Sequence, residues 1–204
     1  MKTIALFGTS ADPPHQGHCA ILRWLTTRFD HVAVWTANNP FKEHQTDLAD
    51  RFRMLELLIE ALDVPPGSVQ LHPELSHMRS IVSIERAKQK WPDAHFTLVI
   101  GADLVRQLPH WYKAQEIFAA VSVLVVPRPG YSVSDQDLGE LQSRGATVEI
   151  AVMPQQYDVS SSQYRADEAA TLPPAVQAYI EQNHLYSCPE DSRKKLSAPR
   201  KMSI

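Results

Sequence analysis

The sequence has almost no cysteine, no long apolar run and no excess of positive charge, and each shortage removes a class of protein. Cys19 and Cys188 are the only cysteines in 204 residues. Neither lies in a CxxC or in a Cys/His group with metal-ligand spacing, so no disulfide framework or zinc site can be read. No stretch approaches the roughly 18 consecutive apolar residues of a membrane-crossing helix. The opening "MKTIALFGTS" has an apolar run too short for a secretory signal, so the expected compartment is the cytoplasm and no membrane contact is expected. Lys and Arg number 20 against 23 Asp and Glu, a net charge of −3. Broad nucleic-acid binding needs a basic surface, so no nucleic-acid partner is expected and any phosphate site must be local. The GxxxxGK[ST] phosphate loop and the GxGxxG fingerprint are also missing, which excludes P-loop enzymes and hydride-transferring dinucleotide enzymes. No internal repeat shows at periods of 20–50 residues.

What remains is an ordinary soluble composition, 44% hydrophobic and 21% charged, and a length that suits one domain. Short β-branched or apolar runs at 3–8, 31–36, 68–73, 96–101, 121–126 and 147–152 read as strands. Between them, segments near 17–29, 48–62, 79–90, 113–120 and 134–144 carry apolar residues at helical spacing, for example Phe52, Leu55, Leu58, Ile59 and Leu62. This alternation predicts an α/β fold with a doubly wound parallel sheet, because parallel strands need crossover connections. Two further helices are expected, near "SSSQYRADEA" and "PPAVQAYIEQN". The predicted domain covers 1–187, followed by a mobile, charged tail over 188–204.

The chemistry concentrates where the first strand ends, in "LFGTSADPPHQGHCAIL". Open α/β sheets bind ligands at the carboxyl ends of their strands. There the chain runs strand, turn, His15-Gln16-Gly17-His18, helix. Gly17 removes a side chain where a ligand must come close, and the helix start offers free N–H groups to an anion. His15 and His18 then stand ready to donate to phosphate oxygens on either side of that glycine.

This segment resembles the (H/T)xGH signature of the nucleotidylyltransferase superfamily, and "FGTSADPPHQGH" is similar to the loop of bacterial nicotinate-nucleotide adenylyltransferases. The likeness runs over nearly the whole chain up to Tyr186. Thr9 and Ala11 stand where family members typically have a second glycine and an aromatic. The resemblance implies a Rossmann-like single domain that transfers AMP from ATP to nicotinate mononucleotide, forming nicotinate adenine dinucleotide and pyrophosphate. Gly8, Thr9 and Ser10 would line the ATP site with Gly17.

Further matches follow along the chain. "VSSSQYR" resembles the family's ISSTxxR motif: another helix start, with Ser160, Ser161 and Ser162 as hydroxyl donors and Arg165 one turn on. "IGADL" leaves the fourth strand as the family's GxD element does, with Gly101 letting the adenosine lie against backbone and Asp103 accepting from ribose hydroxyls. "LPHWYKAQEIF" and "VVPRPGY" resemble segments that mark the pyridine-nucleotide branch, so Trp111 is a stacking face for a pyridine ring and Arg128 supports the acceptor. Lys42, in "NNPFKEH", is the remaining phosphate candidate. Where bacterial relatives carry a Tyr-Thr stretch that helps read the nicotinate carboxylate, this chain has "ELSHMRSIVSIERA", and Arg79 is its candidate reader.

The implied nucleophile is a phosphate oxygen, already ionised, so no general base is required. In this scheme His15, His18 and Arg165 carry the catalysis. Mg²⁺ is expected to arrive on the substrate phosphates rather than in a protein cage. Three alternatives stay open: nicotinamide mononucleotide as main or additional acceptor, the phosphopantetheine and cytidylyl branches of the superfamily, and a nucleotide-binding regulator without turnover. The sequence is compatible with a homo-oligomer.

Overall fold

In a computed structural model, the described residues are 1–38, 45–153, 161–166 and 171–186. The candidates Lys42 and Ser160 and the predicted tail lie outside them. Six strands form one parallel sheet: β1 (Lys2–Thr9), β2 (His31–Thr36), β3 (Val69–Leu71), β4 (Ala94–Gly101), β5 (Ser122–Val126) and β6 (Val148–Ile150). Their spatial order is β3-β2-β1-β4-β5-β6, and every neighbouring pair is parallel. The order reverses between β1 and β4, which places the exits of these two strands side by side at the switch point.

The helices are α1 (Gln16–Leu25), α2 (Leu48–Glu60), α3 (Ser80–Lys90), α4 (Ala114–Ala120), α5 (Asp135–Ser143), α6 (Ser161–Arg165) and α7 (Pro174–Gln182). They cover both faces of the sheet, as the alternation in the central strand requires. Ile4 and Leu6 join one core with Trp35, Ile84 and Ile117, whereas Ala5 and Phe7 join the other with Leu22, Leu25, Leu55 and Ile180. Successive residues of a strand point to opposite faces, so a run apolar at every position is the mark of a strand buried on both. Removing each such Leu or Ile from water contributes on the order of 1.5–3 kcal/mol.

Two predicted details shift. The third strand was expected over 68–73 but pairs only over Val69–Leu71, because Pro73 has no N–H for the ladder and opens a 3₁₀ turn, Pro73–Leu75. The buried stripe of α2 is Arg51, Met54, Leu55 and Leu58, so an arginine occupies a core position that the apolar pattern left out. At Gly8 an added Cβ would stand 2.8 Å from the Trp35 indole, so this glycine makes room for a buried ring on the neighbouring strand.

Candidate active site

The loop after β1 and the start of α1 lock together through two histidines. His15 is the N-cap of α1, and its Nδ1 accepts from the Gly17 N–H at 3.2 Å. The His15 N–H in turn donates to His18 Nδ1 at 3.1 Å, and His18 Nε2 pairs with Thr9 Oγ1 at 2.9 Å. Both Nδ1 atoms accept, so in the neutral rings the proton sits on Nε2, an assignment made from the hydrogen-bond network. His18 therefore donates to Thr9, while the Nε2–H of His15 has no partner among the described residues. The rings are 4.0 Å apart and both are buried. Thr9, where the family typically has glycine, thus acquires a task that its sequence position did not suggest.

Burial and the nearby Arg128 guanidinium lower the His15 pKa from 6.5 to about 4. Burial, His15 and Arg128 push His18 down as well. Both rings are therefore neutral donors at pH 7. Arg128 reaches this position from the exit of β5, held by an ion pair of 3.0 Å with Asp103 at the exit of β4. An added Cβ at Gly101 would overlap Asp103 Oδ1, so this glycine lets the carboxylate fold back toward the strand end. The structure thus pairs Asp103 with Arg128 and sets the arginine's charge on the histidine clamp, a link the spacing did not show.

The second predicted helix start, α6, docks on the same loop. Ser161 Oγ donates to the Pro13 carbonyl at 2.8 Å, and Arg165 donates to the Asp12 carbonyl and to Ser162 Oγ. The loop contains a buried carboxylate: Asp12 is 2% exposed, accepts from Tyr186 Oη at 2.6 Å and lies 3.8 Å from Arg165. Burial and the Asp12 carboxylate hold the Tyr186 phenol protonated by raising its pKa. Arg51 stands behind the loop, donating to the carbonyls of Ser10, Ala37 and Thr46 at 3.2, 3.0 and 2.9 Å. Asp12, Arg51 and Tyr186 were not among the candidate site residues read from the sequence. The DPP run hinted at a turn, but nothing local marks its carboxylate as buried.

On the acceptor side, the Arg79 guanidinium lies 4.0 Å from the centre of the Tyr112 ring. Trp111 is half-buried against the core below α3 and α4, and with Pro109, Lys113 and Arg144 it lines an open pocket of about 320 Å³. Neither His15 nor His18 borders that pocket. No helix among the described residues is long and apolar enough to cross a membrane.

The low histidine pKa values make stability pH-dependent. His31, buried against His72 and Trp91, is likewise lowered to about 4, chiefly by burial, and His72 is lowered for the same reason. The unfolded chain binds protons near pH 6.5 that the folded rings refuse, His15 and His31 until about pH 4, so stability falls as pH drops through that window. Urea melts at pH 7, 6 and 5 should show a falling midpoint. A flat midpoint would mean that these rings are exposed in solution.

A strand-turn-HxGH-helix clamp at the switch point of a six-stranded parallel sheet defines a nucleotidyl-transferring Rossmann-like protein. The comparisons agree: residues 6–167 match the cytidylyltransferase-like family, and the chain belongs to it, within its nicotinate-nucleotide adenylyltransferase group. It is 43% identical over 201 residues to "Probable nicotinate-nucleotide adenylyltransferase" of Synechocystis sp., covering 90% of this chain and 98% of the relative. A protein of the same name from Bacillus cereus is 34% identical over 200 residues, covering 91% and 99%. A solved Plasmodium falciparum nicotinic acid mononucleotide adenylyltransferase, complexed with NaAD, superposes with a TM-score of 0.77 over 91% of this chain and 98% of its own. At 16% identity that likeness speaks for the fold.

Proposed function

We propose that this protein transfers AMP from ATP to nicotinate mononucleotide, giving nicotinate adenine dinucleotide and pyrophosphate. The observation that carries the reading is the histidine pair with both Nδ1 atoms already engaged, which leaves the Nε2–H of His15 open to phosphate and that of His18 on Thr9 Oγ1, from which a phosphate oxygen would take it over. The acceptor phosphate oxygen attacks the α-phosphorus, the bond to the bridging oxygen breaks, and pyrophosphate leaves. The nucleophile is ionised already, so the protein's part is positioning and charge stabilisation.

His15 and His18 steady the α- and β-phosphates across Gly17. Ser161, Ser162 and Arg165 hold the leaving pyrophosphate, together with Ser160. Gly8, Thr9 and Ser10 shape the nucleotide side, and Lys42 is assigned to phosphate by resemblance. Asp103 holds Arg128 through Oδ2, so Oδ1, turned back at Gly101, is the oxygen assigned to the ribose. Trp111 is assigned to the pyridine ring. Bringing acceptor and α-phosphate into line contributes up to ~7–11 kcal/mol, and each well-placed donor on developing charge adds on the order of 3 kcal/mol. Asp12 and Asp103 are engaged by Tyr186 and Arg128, so the residues present fit a cation held by substrate oxygens and water. Mg²⁺ on the ATP phosphates supplies charge neutralisation there. The expected compartment is the cytoplasm.

The test is pyrophosphate release from ATP and Mg²⁺ with nicotinate mononucleotide, nicotinamide mononucleotide and phosphopantetheine offered separately. Preference for the nicotinate form is expected. ATP binding without release for any acceptor would move the protein to the binding-module class.

A further inference from the structure

We infer that His31 and His72 form a binding site for a divalent transition-metal ion such as Zn²⁺, outside the histidine clamp and independent of adenylyl transfer. His31 opens β2 and His72 follows β3, and their Nε2 atoms face each other at 3.2 Å. Both rings are buried, His31 3% and His72 6% exposed. The other nitrogen of each ring is already committed. His31 Nδ1 lies 3.2 Å from the Gly67 carbonyl oxygen, and His72 Nδ1 lies 3.0 Å from Glu74 Oε1. A carbonyl and a carboxylate only accept, so both contacts need the ring to donate, and each Nδ1 carries the single proton of its neutral ring. That leaves two Nε2 lone pairs facing one another. Moving either proton to Nε2 mends this contact only by setting a lone pair against Gly67 or Glu74. Three contacts share two protons, so the neutral pair is short of one cation.

A metal ion fills that place with the chemistry the pair offers. Imidazole nitrogen suits zinc and its neighbours, and metal-binding histidines almost always give their other ring N–H to a carboxylate, a backbone carbonyl or water, as His72 and His31 do with the first two. At 2.0–2.1 Å from each nitrogen, an ion spans the 3.2 Å gap with an N–metal–N angle of roughly 100°, near the tetrahedral value, once each ring turns to aim at it. A third proton would also close the gap, but it would place a full charge on a buried ring in exchange for one hydrogen bond, where a metal ion forms two coordinate bonds. Glu74 brings a negative charge beside the pair and is held by Lys90 at 2.8 Å; these two side chains are 49% and 43% exposed, so ions and water reach the edge of the cluster. Trp91 closes the other side, its ring centred 5.1 Å from that of His72 and 5.5 Å from that of His31. The two histidines are 41 positions apart, so no short ligand spacing marks them in the sequence.

The experiment titrates Zn²⁺ into the chelator-stripped full chain at pH 7 by calorimetry, with the urea midpoint and nitrogen NMR of the histidine rings as independent readouts. Wild type should bind Zn²⁺ at this pair with a raised midpoint, because the ion binds the folded state and the unfolded chain no longer holds the two rings together. The Nε2 resonances of His31 and His72 should shift as it binds. His31→Gln and His72→Gln should each lose that binding, the second serving on the edge strand's side should the first fail to fold. Glu74→Gln should weaken it roughly 10-fold, the lower end of the cost of losing a carboxylate behind a ligating ring. His15→Asn should keep it, which separates the pair from the clamp. Zn²⁺ binding that survives both glutamine substitutions, an unmoved midpoint in wild type, or a proton found on Nε2 between the two rings of the metal-free protein would overturn the inference.

Discussion

Replacing His18 by alanine is expected to lower turnover by at least about a hundredfold while the protein stays folded. Two roles of this ring have to be separated. One is local: His18 Nδ1 accepts from the His15 N–H at 3.1 Å, half of the box that caps α1. Losing such a cap typically costs ~1 kcal/mol, which a domain with two full cores tolerates. The other is chemical: its buried Nε2–H, held by Thr9 Oγ1 in the free protein, is the donor that phosphate would take over beside His15 and Arg128, and removing one such donor costs about 2.7–4 kcal/mol of barrier. The second effect is larger, so rate should fall much further than stability. His18→Asn sharpens the test, since its amide oxygen can still accept from His15 N–H while its donor falls short of the phosphate. Asparagine should restore the thermal midpoint without restoring single-turnover pyrophosphate release. Unchanged turnover in His18→Ala would remove the ring from the mechanism.

What the sequence showed and what it hid divide along a physical line. All six strands were found, with β3 and β6 shorter than expected, because a parallel strand covered on both faces must be apolar at successive positions, as Ile4, Ala5, Leu6 and Phe7 are. The helix start at His15-Gln16-Gly17-His18 was legible for a similar reason: its hydrogen bonds run from the Gly17 N–H to His15 Nδ1 and from the His15 N–H to His18 Nδ1, all within one helical turn. Contacts that depend on strand order were not legible. Asp12 meets Tyr186 across 174 positions, and Asp103 meets Arg128 only because β4 and β5 are neighbours. Arg79 finds Tyr112 only once α3 and the connection after β4 pack on one face. In each case the residue type was ordinary and the partner was distant, so no local pattern distinguished it from a solvated side chain.

Arg51 is the strongest case, and Arg51→Met is expected to destabilise the protein by about 3–5 kcal/mol. An arginine in a helix is normally read as exposed, yet this one is 3% exposed. Burial lowers its pKa, and the charge of Asp12, near but not in ion-pair contact, opposes that shift. Its donors reach the carbonyls of Ser10 after β1, Ala37 after β2 and Thr46 before α2. Methionine matches the stem in shape but satisfies none of these carbonyls, and it removes a cation from the surroundings of Asp12, whose direct partners Tyr186 and Arg165 remain. Each carbonyl left without its charged donor costs about 1–3 kcal/mol. The urea midpoint should drop accordingly at pH 7, and Asp12→Asn in the same background should return part of the loss by removing the stranded charge. Full stability in the single variant would show that Asp12 is neutralised by Arg165 and Tyr186 alone. The expected coupling would instead make Arg51 the residue that holds the loop of His15 and His18 against the sheet, so that the clamp's geometry depends on a cation that never meets the substrate.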